Sequence, residues 1–273
     1  MRGYNKAMSN DKRDSIYRAL HTGQMSRQEA GNHQSALKIL GMLREYVTVG
    51  SLLDVGCGLG TWLKAAWEIG IHEVMGVEGP WLEAAKLVVD PKMVKKIDLE
   101  RRFAMGRRYD LAVCLEVAEH LNASAADGLV HSLVDAADHV LFSAAIPYQG
   151  GEHHVNEQYL PYWMERFSRH DYVMVDLFRG RLWEDGTILW WLRQNMVLFI
   201  RREMLEKNEK LRGFRPDPVP IRMVHPELFE NLMKQANRIL ESHKQILAVL
   251  NKGGRFEVTA HPDSRLDIRR LGP

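Results

Sequence analysis

The stretch Leu52-Leu53-Asp54-Val55-Gly56-Cys57-Gly58-Leu59-Gly60-Thr61-Trp62 decides how this chain is read. An apolar run enters a loop with glycines at three alternate positions, and a helix-like segment over residues 62–69 leaves it. Glycine has no Cβ, so a backbone built this way turns sharply and lies directly against a ligand. Strand, glycine loop and helix N-terminus, in that order, form the entrance to a nucleotide-type cofactor site in an open α/β sheet.

The spacing argues against a dinucleotide. That fingerprint is G-x-G-x-x-G, its third glycine packing helix on strand. Here the pattern is G-x-G-x-G, with Asp54 two residues before the first glycine. A carboxylate there repels a pyrophosphate and suits a ligand with positive charge at this end, such as the amino group of S-adenosylmethionine. With that acid, D-V-G-C-G-L-G-T over residues 54–61 resembles motif I of the class I S-adenosylmethionine-dependent methyltransferases. The resemblance implies S-adenosylmethionine as cofactor, held by Asp54, Gly56, Cys57, Gly58, Gly60, Thr61 and Trp62.

Three further strand ends carry acids in the expected order. Residues 73–78 read as a second strand ending in Glu78, followed by Gly79, about 20 residues after the loop; an acid there accepts both hydroxyls of an adenosine ribose. Residues 94–99 read as a third strand ending in Asp98-Leu99; the resemblance places Asp98 opposite the adenine amine. Residues 109–121 read as a fourth strand running into Glu116-Val117-Ala118-Glu119-His120, which resembles the E-V-x-E-H segment of small-molecule methyltransferases.

The chain has 273 residues, enough for one large domain with appendages, burying about 70–75% of its unfolded surface. A net charge of +2 leaves no electrostatic footprint for nucleic acid. The two cysteines, Cys57 and Cys114, both fall in the cofactor-side strands and loops, which points to a reduced compartment and not to a disulfide framework. The first twelve residues lack the apolar core of a signal peptide, and the greasiest run, 188–200, is interrupted by Arg193, Gln194 and Asn195. A cytoplasmic protein without a membrane segment is expected.

The organisation predicted is a Rossmann-like, doubly wound α/β fold: a seven-stranded sheet with an antiparallel last strand, plus N-terminal and C-terminal helical appendages. Residues 1–32 are a polar lead-in and 33–202 the methyltransferase domain. Residues 203–225, with Pro216, Pro218 and Pro220, read as a linker; 226–273 hold a long amphipathic helix and a tail without a functional signal. Strands are predicted at 139–144, 172–177 and 196–200, the last two antiparallel because their connection is short for a crossover helix. The C-terminal helix has an apolar side that either packs on its own core or offers a homodimer contact.

Methyl transfer from a sulfonium needs in-line placement and a dry site, and a base only where the acceptor is protonated. In such sheets ligands collect at the C-terminal strand ends, where the long loop of residues 143–159 follows strand five. Its Gly150-Gly151-Glu152-His153-His154-Val155-Asn156-Glu157-Gln158 and the later Trp190-Trp191-Leu192-Arg193-Gln194-Asn195 are similar to a bacterial subgroup carrying G-G-x-x-H-V-N-E-Q-W and W-Y-R-Q-N. That subgroup implies small or sugar-like acceptors. Tyr159 and Leu192 depart from its pattern.

His154 is the leading candidate for base or acceptor-orienting group, with His153, His120 and Glu119 as rivals. Asn156 reads as the N-cap of a helix over 157–167, with Glu157 in its first turn. No metal is expected: adjacent histidines on an extended loop point to opposite sides, which disfavours ligation by His153, His154 and Glu157 together. Tyr148, Tyr159, Tyr162, Trp163, Trp183, Trp190 and Trp191 either stack on an acceptor ring or cover the sheet, while Trp62 or Trp81 lines the adenosine pocket.

The function expected is methyl transfer to oxygen or nitrogen of a small polar, sugar-type acceptor. A nucleic-acid methyltransferase is the rival reading, weakened by the absence of an N/D-P-P-Y/F segment after strand four. An NAD-linked oxidoreductase and a non-catalytic protein of the same fold are the others.

Overall fold

The computed structural model describes residues 25–213, 222–250, 256–260 and 266–270. The chain divides into two compact units, residues 1–223 and 224–273.

The first unit is built on one seven-stranded sheet. Its strands are β1 (Ser51–Val55), β2 (Glu73–Glu78), β3 (Val94–Lys96), β4 (Leu111–Leu115), β5 (His139–Ser143), β6 (Tyr172–Val175) and β7 (Val197–Arg201). Their order is β3-β2-β1-β4-β5-β7-β6. The β1–β2, β1–β4, β2–β3 and β4–β5 pairs are parallel; β7 runs antiparallel to both β5 and β6. This is the expected Rossmann-like sheet with an antiparallel last strand.

Alternation of side chains sorts the core into two layers. Leu52, Leu111, Val113 and Leu141 pack on one face, where α1 (Met25–Arg44) contributes Ile39, Leu40 and Leu43 and α2 (Thr61–Glu68) contributes Leu63 and Ala66. Leu53, Ala112, Cys114, Val140 and Phe142 face the other way, against α3 (Ala126–Ala136) and α4 (Leu160–Ser168). Phe167 of α4 stacks on Phe199 of β7 at 3.8 Å between ring centroids, so the antiparallel strand is clamped from the helical layer. Both cysteines are buried and unpaired, and burial pushes each thiol well above its ordinary value.

Three stretches of local structure depart from what the sequence predicts. The lead-in is helical from Met25, because Ala36, Ile39, Leu40 and Leu43 give α1 a buried stripe that carries the helix back past residue 33. The β6–β7 connection, short for a crossover helix, holds two short helices, α5 (Arg179–Leu182) and α6 (Trp190–Asn195), and Arg193, Gln194 and Asn195 form the last turn of α6. The expected linker begins with α7 (Arg202–Lys207) and α8 (Glu209–Arg212): Asn208 caps α8 by accepting the Leu211 N–H at 3.0 Å, and Leu211 is fully buried. Its proline-bearing part lies largely outside the described residues.

Asn156 is not a helix cap. α4 starts at Leu160, with Tyr159 extended before it and Pro161 in the first turn, where a missing N–H costs nothing. Asn156 is instead buried, its backbone N–H donating to the Glu119 carbonyl at 3.0 Å.

The second unit consists of α9 (Pro226–Leu250) and a hairpin of β8 (Phe256–Ala260) and β9 (Leu266–Arg270). The hairpin occupies the stretch in which the sequence carries no functional signal. On α9, Phe229, Ile239 and Leu240 are more than half exposed. No helix among the described residues is long and apolar enough to cross a membrane.

Candidate functional site

Strand order reverses between β1 and β4, the place where an open α/β sheet presents its ligand crevice. A cleft of about 580 Å³ lies there, outside the C-terminal strand ends.

One half of the cleft is the glycine loop. Gly56 and Cys57 donate their N–H groups to the Val77 carbonyl at 2.8 and 3.1 Å, tying the loop to β2. Gly56 sits at φ +74°, and a Cβ there would fall 2.4 Å from a Val117 methyl. Only glycine passes between left-handed backbone and that neighbour. Glu78 joins the two loops: one oxygen accepts the Gly58 N–H and the other the Gly79 N–H, both at 2.7 Å. Asp54 is 4% exposed, and its Oδ2 has no hydrogen-bond partner. Burial first, and the charge of Glu78 second, push its carboxyl up to about 8.

The other half is built on residues 116–120 and the loop after β5. Glu116 ends β4 in the left-handed region at φ +53°, a conformation that non-glycine residues hold only where surroundings enforce it. Here they do. The Glu116 N–H donates to the Ser143 carbonyl and hydroxyl at 3.1 Å each; its carboxylate accepts from Gln149 Nε2 at 2.8 Å and Asn195 Nδ2 at 3.1 Å. Gln149 Oε1 in turn accepts from Asn195 at 2.8 Å and Gln194 at 3.1 Å. Burial raises the Glu116 carboxyl, and the donors of Ser143, Asn195 and Gln149 pull it back.

Glu119 and His120 follow on a 3₁₀ turn, Ala118–His120. Glu119 is fully buried, and burial, then the neighbouring Glu116, push its carboxyl well up. Its backbone carbonyl accepts the N–H groups of Val155 and Asn156 at 2.8 and 3.0 Å, which stitches the turn to the His154 loop. The His120 and His154 rings meet edge-on at 4.9 Å. Burial, then His154, lower His120 to about 4, so its imidazole is neutral near pH 7. Glu157 shapes the loop by accepting from Tyr148 N–H at 2.8 Å and Gly150 N–H at 3.1 Å, and it lies 2.9 Å from His154 Nδ1.

Among the candidates named from sequence, Asp54, Gly56, Cys57, Gly58, Thr61 and Trp62 line the cleft, as do Glu78, Leu99, Glu116, Glu119, His120 and His154. Four do not. Gly60 is the N-cap of α2 at φ +84°. Gly79 lies under the Trp81 indole, which would be 2.0 Å from a Cβ. Asp98 serves the turn after β3, accepting the Glu100 N–H at 3.1 Å, while Leu99 takes the cleft wall. His153 stands in the left-handed region at φ +61° and outside the lining, so the two adjacent histidines do diverge.

The aromatics divide as well. Trp163 of α4 is buried in the core, Tyr148 is 79% exposed, and Trp62, Trp81, Trp190 and Trp191 line the cleft. Glu29 and Asn32 of α1, which the sequence places in a polar lead-in, also reach the cleft, and Leu192 of the Trp190–Asn195 segment lines it. Nothing local marks Glu29 or Asn32. Gln149 was visible only as one polar residue of a polar loop.

A family model described as Methyltransferase domain matches residues 27–175. No curated protein matches the sequence. Among solved structures, 68% of the chain is similar to 97% of Streptomyces venezuelae DesVI, at 14% identity and a TM-score of 0.48. Over 71% it is similar to 91% of the plantazolicin methyltransferase BpumL, solved with a pentazolic desmethylPZN analog and SAH, at 14% identity and a TM-score of 0.48. Over 61% it is similar to 97% of the methyltransferase domain of bacterial CtHen1-C, at 18% identity and a TM-score of 0.46.

Proposed function

The chain belongs to the methyltransferase-domain family, and from that premise we propose that it moves a methyl group from S-adenosylmethionine to oxygen or nitrogen of a small polar acceptor, with sugar-type metabolites the first class to try. One observation carries the reading. Asp54 Oδ2 is a buried carboxylate oxygen without a donor, in the lining of a cleft at the topological switch point. An unmatched buried acceptor of this kind is costly until a donor, best a cationic one, arrives. An α-ammonium group is such a donor; a pyrophosphate is not.

The residues present fit the donor molecule. Asp54 would hold its amino group, the glycine loop its backbone-facing edge, and Glu78, whose carboxylate has acceptor capacity beyond its two amide bonds, the ribose hydroxyls. Leu99, Trp62 and Trp81 would wall the adenosine. Bound there, the sulfonium supplies an already activated methyl group. The protein's part is to place the acceptor in line and exclude water, worth about 7–11 kcal/mol of the barrier. Removing a proton from an alcohol or ammonium acceptor falls to the group of Glu119, His120 and His154 on the opposite wall.

Calorimetry tests the reading directly. The purified chain is expected to bind S-adenosylmethionine and S-adenosylhomocysteine, and Asp54→Ala to lose both. Binding of NAD in their place, or unchanged affinity in the variant, rejects it. Incubating the enzyme with labelled donor and metabolite extracts, then identifying labelled products by mass spectrometry, names the acceptor. We also infer self-association through α9, whose Phe229, Ile239 and Leu240 are exposed; sedimentation of the full chain measures it.

A further inference from the structure

We propose that Glu119, His120 and His154 form a binding site for a divalent first-row transition-metal ion on the acceptor wall of the cleft. Each offers one ligand atom, and these atoms lie within 4.8 Å of one another. Tetrahedral donors at about 2.0–2.1 Å from zinc stand roughly 3.4 Å apart, so closing on an ion needs a contraction of only about 1.4 Å. By sequence, His154 has His153 and Glu157 as its neighbours, a set that disfavours ligation. The fold replaces two of those three, because Glu119 and His120 approach His154 across the bonds from Val155 and Asn156 to the Glu119 carbonyl.

Three independent features point to an ion. Glu119 is fully buried and lines the cleft, and its carboxyl stands beside that of Glu116, two acids in one water-poor site. Such a group calls for a cation or a donor. His154 Nδ1 lies 2.9 Å from Glu157 Oε1, the carboxylate–histidine pairing that holds a metal-binding imidazole in one tautomer and leaves Nε2 with its lone pair. Beside that Nε2 the chain carries Gly151 at φ +147°, where a Cβ would fall 2.3 Å from the nitrogen. A side chain at this position would collide with the ligand atom, and glycine avoids that.

Two imidazoles and one carboxylate suit zinc, manganese, iron(II) or cobalt better than magnesium or calcium. Three protein ligands leave a coordination position facing the cleft, the mark of a site that takes a substrate. This deepens the methyltransferase reading, on which it rests for its purpose: with an ion bound, the three side chains serve as ligands and not as base, and the open position would take and acidify an oxygen of the acceptor, which selects hydroxyl-bearing acceptors over amines.

Full-length protein stripped with chelator and titrated with Co²⁺ alone tests the site by visible absorption, with S-adenosylhomocysteine calorimetry alongside. One equivalent of Co²⁺ should give a saturable ligand-field spectrum. Glu119→Gln and Gly151→Ala should abolish it, and Glu157→Gln should weaken affinity about 10–100-fold, while all three still bind S-adenosylhomocysteine. Absence of the spectrum in the parent protein, or its survival in Glu119→Gln and Gly151→Ala, overturns the site. A spectrum without nucleoside binding supports the site and overturns the methyltransferase reading instead. Label transfer to extract metabolites should stop on chelation and return with Mn²⁺; transfer indifferent to both overturns the acceptor role.

Discussion

Asn195 Nδ2 donates to the Glu116 carboxylate at 3.1 Å, joining the last turn of α6 to the end of β4 across 79 residues of sequence. The same amide nitrogen reaches Gln149 Oε1 at 2.8 Å, so one side chain holds both walls of the acceptor half. Asn195→Ala leaves a buried carboxylate short of a donor and is expected to cost about 1–3 kcal/mol in urea unfolding. Asn195→Asp sets a second carboxylate beside Glu116 and should cost more, with a loss that shrinks as pH falls and one of the pair takes a proton.

Asp54 makes stability depend on pH. Folded, its carboxyl titrates near 8 rather than 3.8, so between roughly pH 4 and 8 the native state keeps a proton that the unfolded chain has released. Stability from this group is present below about pH 4 and is lost as pH rises to 8, by up to about 1.4 kcal/mol per pH unit. Asp54→Asn should remove that slope, so denaturation at about pH 5 and pH 8 shows the variant gaining most at the higher pH.

The same residue predicts how the donor molecule binds. A cationic amino group favours the ionised carboxyl, so affinity for S-adenosylmethionine should improve as pH rises from about 5 towards 7, below the point where the ligand's own α-ammonium loses its charge. Calorimetry near pH 7 in buffers of different ionisation enthalpy should register close to one proton released per ligand bound. No release, or affinity falling with pH, contradicts the assignment.

Gly56→Ala combines a left-handed backbone with a Cβ 2.4 Å from Val117. The conformational and steric terms together are expected to cost about 2–4 kcal/mol. In a Val117→Ala background the steric part should vanish and the conformational part remain, giving a coupling of about 1–2 kcal/mol in a double-mutant cycle.

Arg179 is 2% exposed and paired with Asp176 at 2.7 Å, at the start of the β6–β7 connection that ends in α6. Asp176→Ala strands a buried guanidinium and should cost about 3–5 kcal/mol; adding Arg179→Met should recover most of it. Equal loss in the single and double variants would mean that the pair is not what holds this connection.

Residues 52–62 by themselves determined that an α/β sheet with a ligand crevice would form, because strand, glycine turn and helix start are local properties of a dozen residues. Side-chain periodicity did the same for the other strands, whose hydrophobic alternation assigns each residue to one of two layers. Helix boundaries were less legible. Asn156 has the chemistry of a cap, yet Pro161 sets the start of α4 downstream, and α1 extends back because its buried stripe does. What only the tertiary structure decided is which distant polar groups meet. Glu29 enters the cleft, Asp98 leaves it, Gln149 and Asn195 converge on Glu116, and Glu119 faces His154 across a backbone stitch. Contacts of that kind depend on strand order and loop closure over tens of residues, and no period in the sequence encodes them.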